Sequence, residues 1–356
     1  MAEQQVTSKT LGICGVTGSS GWFASSLVSQ LTQNGHKVHC LDILPPSTID
    51  ADINPYCKIN EKLVTFHKCD ITDLQQVTKA LQAVDTLFHI CAITDIRVCP
   101  IDAIHRVNVD GTKTVIEACK QCNVRTLVYT SSIEVVNDGK PKDQATENID
   151  YVQNYNPYGT TKTLAEQLVL NAGDDKLAVA ALRLAHIYGP GDPIIYALSK
   201  YPVNIGDGTC RHSFIYIENC AYAHIQMARA LASKSTRDAC NRQAFNIKDH
   251  DHNFTKWYRD VLCEKTDQKC VYIPYLVAIV LAHIYDFVCW ILFKLFGLRV
   301  GDPIENFGVL AVEAAAQEHT YNVDKFARLV GYEPAVDVKE SIRRTRDWRK
   351  RKYPKR

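Results

Sequence analysis

Leu11-Gly-Ile-Cys-Gly-Val-Thr17 runs directly into Gly18-Ser-Ser-Gly21-Trp-Phe-Ala24, and beyond it Leu27, Val28 and Leu31 recur at helical spacing. A short apolar run, a glycine turn and an amphipathic stretch read as strand, loop and helix. Glycine lets the backbone approach a pyrophosphate, and the helix N-terminus offers it unpaired N–H groups and a partial positive charge. The spacing from Gly18 is Gly-x-x-Gly-x-x-Ala, a weak signal by itself. A second strand, His36 to Asp42, gives it weight, because it ends in an acid about 20 residues beyond the glycines. Asp42 there would bond the adenosine ribose hydroxyls and repel a 2′-phosphate, so the expected cofactor is NAD rather than NADP.

The alternation continues along the chain. Leu63 to Phe66 reads as a third strand leading to Cys69-Asp70, where Asp70 can receive the adenine amino group. Leu74 to Val84 is a helix, Thr86 to Ala92 a fourth strand, Ile104 to Cys122 a helix, Thr126 to Thr130 a fifth strand and Leu177 to Leu184 a sixth. This pattern predicts an α/β fold with a doubly wound parallel sheet, Rossmann-like, its ligand beyond the carboxyl ends of the strands, where Ala92, Ser131 and Ser132 fall. After Tyr188-Gly-Pro-Gly-Asp192 the pattern loosens, and the sheet is expected to end. We therefore expect an NAD-binding domain over 1–190 and a smaller C-terminal substrate lobe over 191–356, interleaved with it. Gly206-Asp-Gly208, Arg211 and a helix from near Glu218 to Ala232 would build that lobe.

Tyr158-Gly-Thr-Thr-Lys162 carries the chemistry. Asn156 can cap a helix there, and Pro157 suits its first turn. Residues four apart are helix neighbours, so the Lys162 ammonium can lie beside the Tyr158 phenol or beside whatever the phenol faces. A nearby ammonium draws a phenol from a pKa of about 10 toward working pH, making Tyr158 a candidate general base. The spacing also occurs on ordinary helices. Its position after the glycine fingerprint and after Val128-Tyr-Thr-Ser-Ser132 favours function.

Net charge is +2, so no overall field points to nucleic acid. Arg343 to Arg356 is nonetheless a basic tail, a solvated helix end or a contact for an anionic lipid surface. Fourteen cysteines without a recognisable secretory leader suggest reduced thiols in a cytosol-facing protein. Cys119-Lys-Gln-Cys122 reads as structural, and no metal is required. Asn253-Phe-Thr255 is a sequon that a cytosol-facing chain would leave unused.

The most hydrophobic run, Tyr275 to Phe296, lies within 274–297. Its 22 residues would extend about 33 Å as a helix, enough to cross a bilayer. His283, Asp286 and Lys294 make one face partly polar, and a crossing would strand an amphipathic C-terminal stretch on the far side. A helix in the membrane interface avoids both difficulties. The competing reading is a hydrophobic lid or a dimer helix.

Taken in order, Thr17 to Ala24, Asn108-Val-Asp-Gly-Thr112, Tyr129-Thr-Ser-Ser-Ile-Glu-Val135, Tyr158 to Lys162, Arg183 with Tyr188-Gly-Pro-Gly191, and Arg211-His-Ser-Phe-Ile-Tyr-Ile217 resemble the extended short-chain dehydrogenase/reductases. Within them, Thr130 to Val135 and the late apolar run followed by Tyr321 to Tyr332 resemble the 3β-hydroxysteroid dehydrogenase family. The resemblance implies Tyr158 as acid/base, Lys162 lowering its pKa and holding the nicotinamide ribose, Ser132 bonding the reacting oxygen and Asn108 supporting a proton relay. The cofactor contacts expected are Gly18, Ser20, Gly21, Trp22, Asp42, Asp70, Ile71, Ala92, Lys162 and His186. It also implies oxidation of a 3β-hydroxysteroid or sterol to a ketone, with peripheral or monotopic attachment to the endoplasmic reticulum or another intracellular membrane, and a homodimer as one assembly. Three alternatives stand beside it: a C4-decarboxylating sterol 3-dehydrogenase, a nucleotide-sugar epimerase or dehydratase, and a non-catalytic NAD-binding scaffold. Arg183-Leu184 departs from the Arg-Pro that many members carry.

Overall fold

The computed structural model describes residues 11–45, 55–94, 101–152, 156–192, 195, 203–206, 208–264, 271–297 and 308–353. Seven parallel strands form the central sheet: β1 (Cys14–Thr17), β2 (Val38–Asp42), β3 (Val64–Lys68), β4 (Thr86–His89), β5 (Thr126–Ser132), β6 (Ala178–Leu184) and β7 (Gln243–Ile247). Their order is β7-β6-β5-β4-β1-β2-β3, so the chain reverses direction between β1 and β4. That reversal opens a crevice at the carboxyl ends of these two strands.

The inner strands β1, β4, β5 and β6 are buried on both sides, their residues alternating between two cores, whereas edge strand β3 is partly exposed. Val128, Ala178, Ala180 and Leu182 pack under α1 (Trp22–Gln33), whereas Leu127, Tyr129, Val179 and Ala181 pack on the opposite face. That second face is covered by α2 (Leu74–Ala80), α3 (Gly111–Gln121) and α4 (Pro157–Ala172). A helix at Ile101–His105 enters α3 through a π turn at Arg106–Asp110.

The sheet does not end at β6. Gln243-Ala-Phe-Asn-Ile247 adds a seventh strand in parallel to β6, and α5 (Ile217–Ala232) packs beside α1 on the main sheet instead of in a separate lobe. The long intervening chain, residues 185–242, hides this crossover from a reading by alternation. Part of that chain forms a second sheet, in which Arg211–Tyr216 pairs with His250–Asn253, His319–Tyr321 and His186–Tyr188. Lys142–Ala145 completes it beside His319–Tyr321. A separate pair of parallel strands, Val203–Ile205 and Val271–Ile273, packs through Ile205 and Ile273 against α6 (Tyr275–Phe296) and α7 (Val309–Ala316). The C-terminal helix α8 (Val338–Lys352) packs back through buried Trp348.

Candidate active site

The nucleotide end of the cleft is made by backbone. Gly18 has φ +66°, and a Cβ on it would lie 2.8 Å from the Cys91 Cα, so a side chain there meets main chain. Gly21 precedes α1 in an extended conformation with no side chain bonding the first amides of the helix. Those donors open on a cavity of about 1890 Å³ lined by Gly18, Gly21 and Trp22. Asp42 accepts the Ser20 N–H at 3.0 Å and the Leu44 N–H at 3.1 Å, which fixes its carboxylate at the cavity edge. Asp70, Ile71, Ala92 and His186 line the same cavity. Burial holds His186 at about 4, hence neutral. Ser20 is the exception among the expected contacts: it does not line the cavity, and its hydroxyl donates to Leu44 O at 2.9 Å.

At the other end, α4 starts as its sequence dictates. Asn156 Oδ1 accepts the Gly159 N–H at 2.5 Å and Pro157 occupies the first turn. Tyr158 and Lys162 both line the cavity with Ser132. The expectation that Lys162 draws the phenol down is not met. Lys162 Nζ donates to Thr130 O at 2.5 Å and lies 4.1 Å from the centroid of the Tyr129 ring, so its charge is spent on the end of β5. Tyr158 is pushed up, first by burial and then by Glu134, while only the Ser132 hydrogen bond lowers it. Burial brings Lys162 down to about 7 against the pull of Glu166 and Cys91.

Asn108 lies off the cavity and is buried. Its Oδ1 accepts the Ile93 N–H at 2.7 Å, and its Nδ2 donates to Ile93 O and Thr161 Oγ1. The amide is thus fully used as a strap between the cleft loop and α4, and the geometry shows a positioning group instead of an open relay. Glu166, one turn beyond Lys162, is fully buried and accepts from Arg183 at 2.7 Å, from Tyr151 at 2.8 Å and from Ser131.

Two groups of cleft residues escaped the sequence reading. Glu134, quoted only as part of a motif, lines the cavity and accepts from Asn137 and Asn156, both at 3.1 Å; burial pushes its carboxyl up. Glu134 therefore joins the turn after Ser132 to the cap of α4. Tyr285, Asp286, Cys289 and Phe293 of α6 form another part of the wall. Hydropathy marked that run as apolar but could not say what its faces touch.

Other expected features lie elsewhere. Arg211 is exposed, pairs with Glu318 at 2.8 Å and is not a cavity residue; Asp207 lies outside the described residues. The basic run is largely paired within the protein: Arg344 with Glu218 and Glu340, Arg343 with Glu340 and Asp347, and Lys350 with Glu264. Its last three residues are outside the described set. The twelve described cysteines are free, and the Asn253 amide is engaged with Gly208 and Cys210 carbonyls.

This doubly wound parallel sheet, with a cleft at the carboxyl ends of its strands walled by a phenol and a lysine, places the protein among the short-chain dehydrogenases. The chain belongs to the 3-beta hydroxysteroid dehydrogenase/isomerase family, whose model matches residues 15–269. It is 30% identical over 344 residues to a decarboxylating sterol-4-alpha-carboxylate 3-dehydrogenase of Mus musculus, covering 93% of this chain and 89% of that one. It is also 30% identical to the Homo sapiens 3 beta-hydroxysteroid dehydrogenase type 7, over 94% of each chain. Among solved structures, MoeE5 in complex with UDP-glucose and NAD superposes with a TM-score of 0.67 at 23% identity, covering 96% of this chain and 99% of that one, which shows the shared fold.

Proposed function

We propose that this protein oxidises the 3β-hydroxyl of a sterol or hydroxysteroid to a ketone, with NAD as cofactor. The observation that carries the reading is the continuity of one cavity from the Gly18 cradle, past Tyr158 and Ser132, to the apolar wall of α6. The residues fit NAD: a glycine where a Cβ would strike main chain, an open helix N-terminus, and Asp42 at the cavity edge, where it would bond the ribose hydroxyls. When bound, NAD accepts the hydride. Ser132 both lowers the Tyr158 phenol and holds the substrate oxygen, and the fraction of Tyr158 that ionises against burial and Glu134 takes the hydroxyl proton while the carbinol hydride departs. Lys162, brought down to about 7 by burial, stands at the cleft wall as a donor that can also bond the nicotinamide ribose, and Glu166 with Arg183 holds the far side of α4.

A substrate that carries a C4 carboxylate becomes a β-keto acid on oxidation and loses CO₂, leaving an enolate that takes up a proton. The relatives named as decarboxylating sterol dehydrogenases favour this second step. The cavity opposes a nucleotide-sugar reading, since Arg211 is paired outside it and Tyr285 and Phe293 line it. The exposed face of α6 and the free thiols support a cytosol-facing protein lying on the endoplasmic reticulum or another intracellular membrane. Wild-type protein and Tyr158→Phe, given NAD and a 3β-hydroxysteroid, a C4-carboxysterol or a UDP-sugar, separate the readings. Tyr158-dependent NADH with either sterol is expected, with CO₂ only from the carboxysterol. Tyr158-dependent conversion of the UDP-sugar to an epimer or dehydrated product, with neither sterol oxidised, would refute the proposal; that conversion is redox-neutral and is read from the sugar product, not from NADH.

A further inference from the structure

Helix α6 has two faces of different character. Ala278 and Ala282, fully buried, pack with Ile205 and Val312, and Tyr285, Asp286, Cys289 and Phe293 continue the same stripe along the cavity wall. At 3.6 residues per turn these six positions stay within one side of the helix. Asp286 is the carboxylate of the run and is used on this side: it accepts the Val309 N–H at 3.0 Å and so holds the first turn of α7. On the opposite side Val277, Val280, Ile284, Phe287 and Val288 form an apolar face, each 46 to 60% exposed. His283, Trp290 and Lys294 run along one border of that face.

This arrangement determines what covers the face. A span with lipid on every side does not fit, because Ala278 and Ala282 are buried against protein and Asp286 bonds the first turn of α7. A second protein copy would bring polar partners and hydrogen bonds to the rim. An apolar face with a tryptophan and a snorkelling lysine at its border suits the plane of a bilayer. One helix, about 10 Å across with its side chains, then separates lipid from the catalytic cavity.

We propose that α6 is the membrane-side wall of the catalytic cleft, and that the apolar substrate enters laterally from the bilayer past it instead of through water. The proposal rests on the sterol reading. Desorption from a bilayer is slow for such a molecule, since each buried methylene adds about 0.8 kcal/mol to its retention, so lateral entry removes the slowest step of supply.

The triple variant Ile284→Ser, Phe287→Ser, Val288→Ser strips the outward face and leaves every cavity-lining residue in place. Two substrates are compared: a hydroxysteroid dissolved below its solubility limit, and a sterol in phosphatidylcholine–phosphatidylserine vesicles. Turnover of vesicle-borne sterol is expected to fall about tenfold or more, equivalent to at least 1.4 kcal/mol of lost membrane binding, with turnover of dissolved steroid and NAD binding unchanged. Equal loss on both substrates with NAD binding intact, or loss on neither, overturns the route. A measurement on wild-type protein covers a variant that fails to fold: oxidation of vesicle sterol faster than its transfer to acceptor vesicles supports lateral entry, and a rate capped at that transfer overturns it. Absence of NADH from either source would overturn the sterol reading itself, whereas NADH from dissolved steroid with a desorption-limited vesicle rate overturns only the route.

Discussion

Lys162→Met should inactivate the enzyme and, at neutral pH, make it more stable. Burial lowers the folded Lys162 from its ordinary 10.5 to about 7. Between these values the unfolded chain binds the proton and the folded chain releases it, so wild-type stability rises with pH across that window. At 1.36 kcal/mol per pH unit, the penalty for folding with this lysine is about 4 kcal/mol at pH 7 and about 2 kcal/mol at pH 9. Methionine of similar length carries no such penalty, but it leaves Thr130 O without the donor now at 2.5 Å, which costs about 1–3 kcal/mol. The variant should therefore gain about 1–3 kcal/mol at pH 7, and its advantage should shrink by about 2 kcal/mol at pH 9. Urea unfolding of both proteins without cofactor, followed by circular dichroism at the two pH values, measures this. A variant less stable than wild type at pH 7, or a difference that does not change with pH, would show that Lys162 is not held against its charge.

Glu134→Gln removes a charge that raises the Tyr158 phenol, so the rising limb of kcat/KM against pH should move to lower pH; an unmoved limb would mean that Glu134 acts only as a strut. Gly18→Ala places a Cβ 2.8 Å from the Cys91 Cα at a positive φ, and NAD affinity measured by fluorescence quenching should drop by about tenfold or more. Glu166→Leu strands the buried Arg183, and thermal unfolding should report a loss of about 3–5 kcal/mol, larger than for the double variant Glu166→Leu, Arg183→Met.

Local chemistry made much of the site readable. The Gly18 turn, the acid at the end of β2 and the Asn156-Pro157 start of α4 depend on residues within a few positions of one another, and each stands where its spacing places it. Asn108 and Ser20 belonged to recognisable motifs, yet their roles turned on partners fixed by packing: Thr161 is 53 residues from Asn108, and the Ser20 hydroxyl turns to Leu44. β7 was missed because strand pairing ignores sequence distance. The same holds for Arg211, whose motif was evident but whose partners lie outside the cavity.

By itself, then, the sequence determined the parallel dinucleotide fold, its glycine cradle and the Tyr158 and Lys162 pair, because turns, caps and helix spacing are short-range properties of the chain. Tertiary structure alone decided that Lys162 gives its charge to Thr130 O, that Glu134 bears on the phenol, and that one side of α6 faces the cavity while the other is exposed. Hydropathy measures how apolar a helix is, but its sides acquire different surroundings only when the rest of the chain has packed against it.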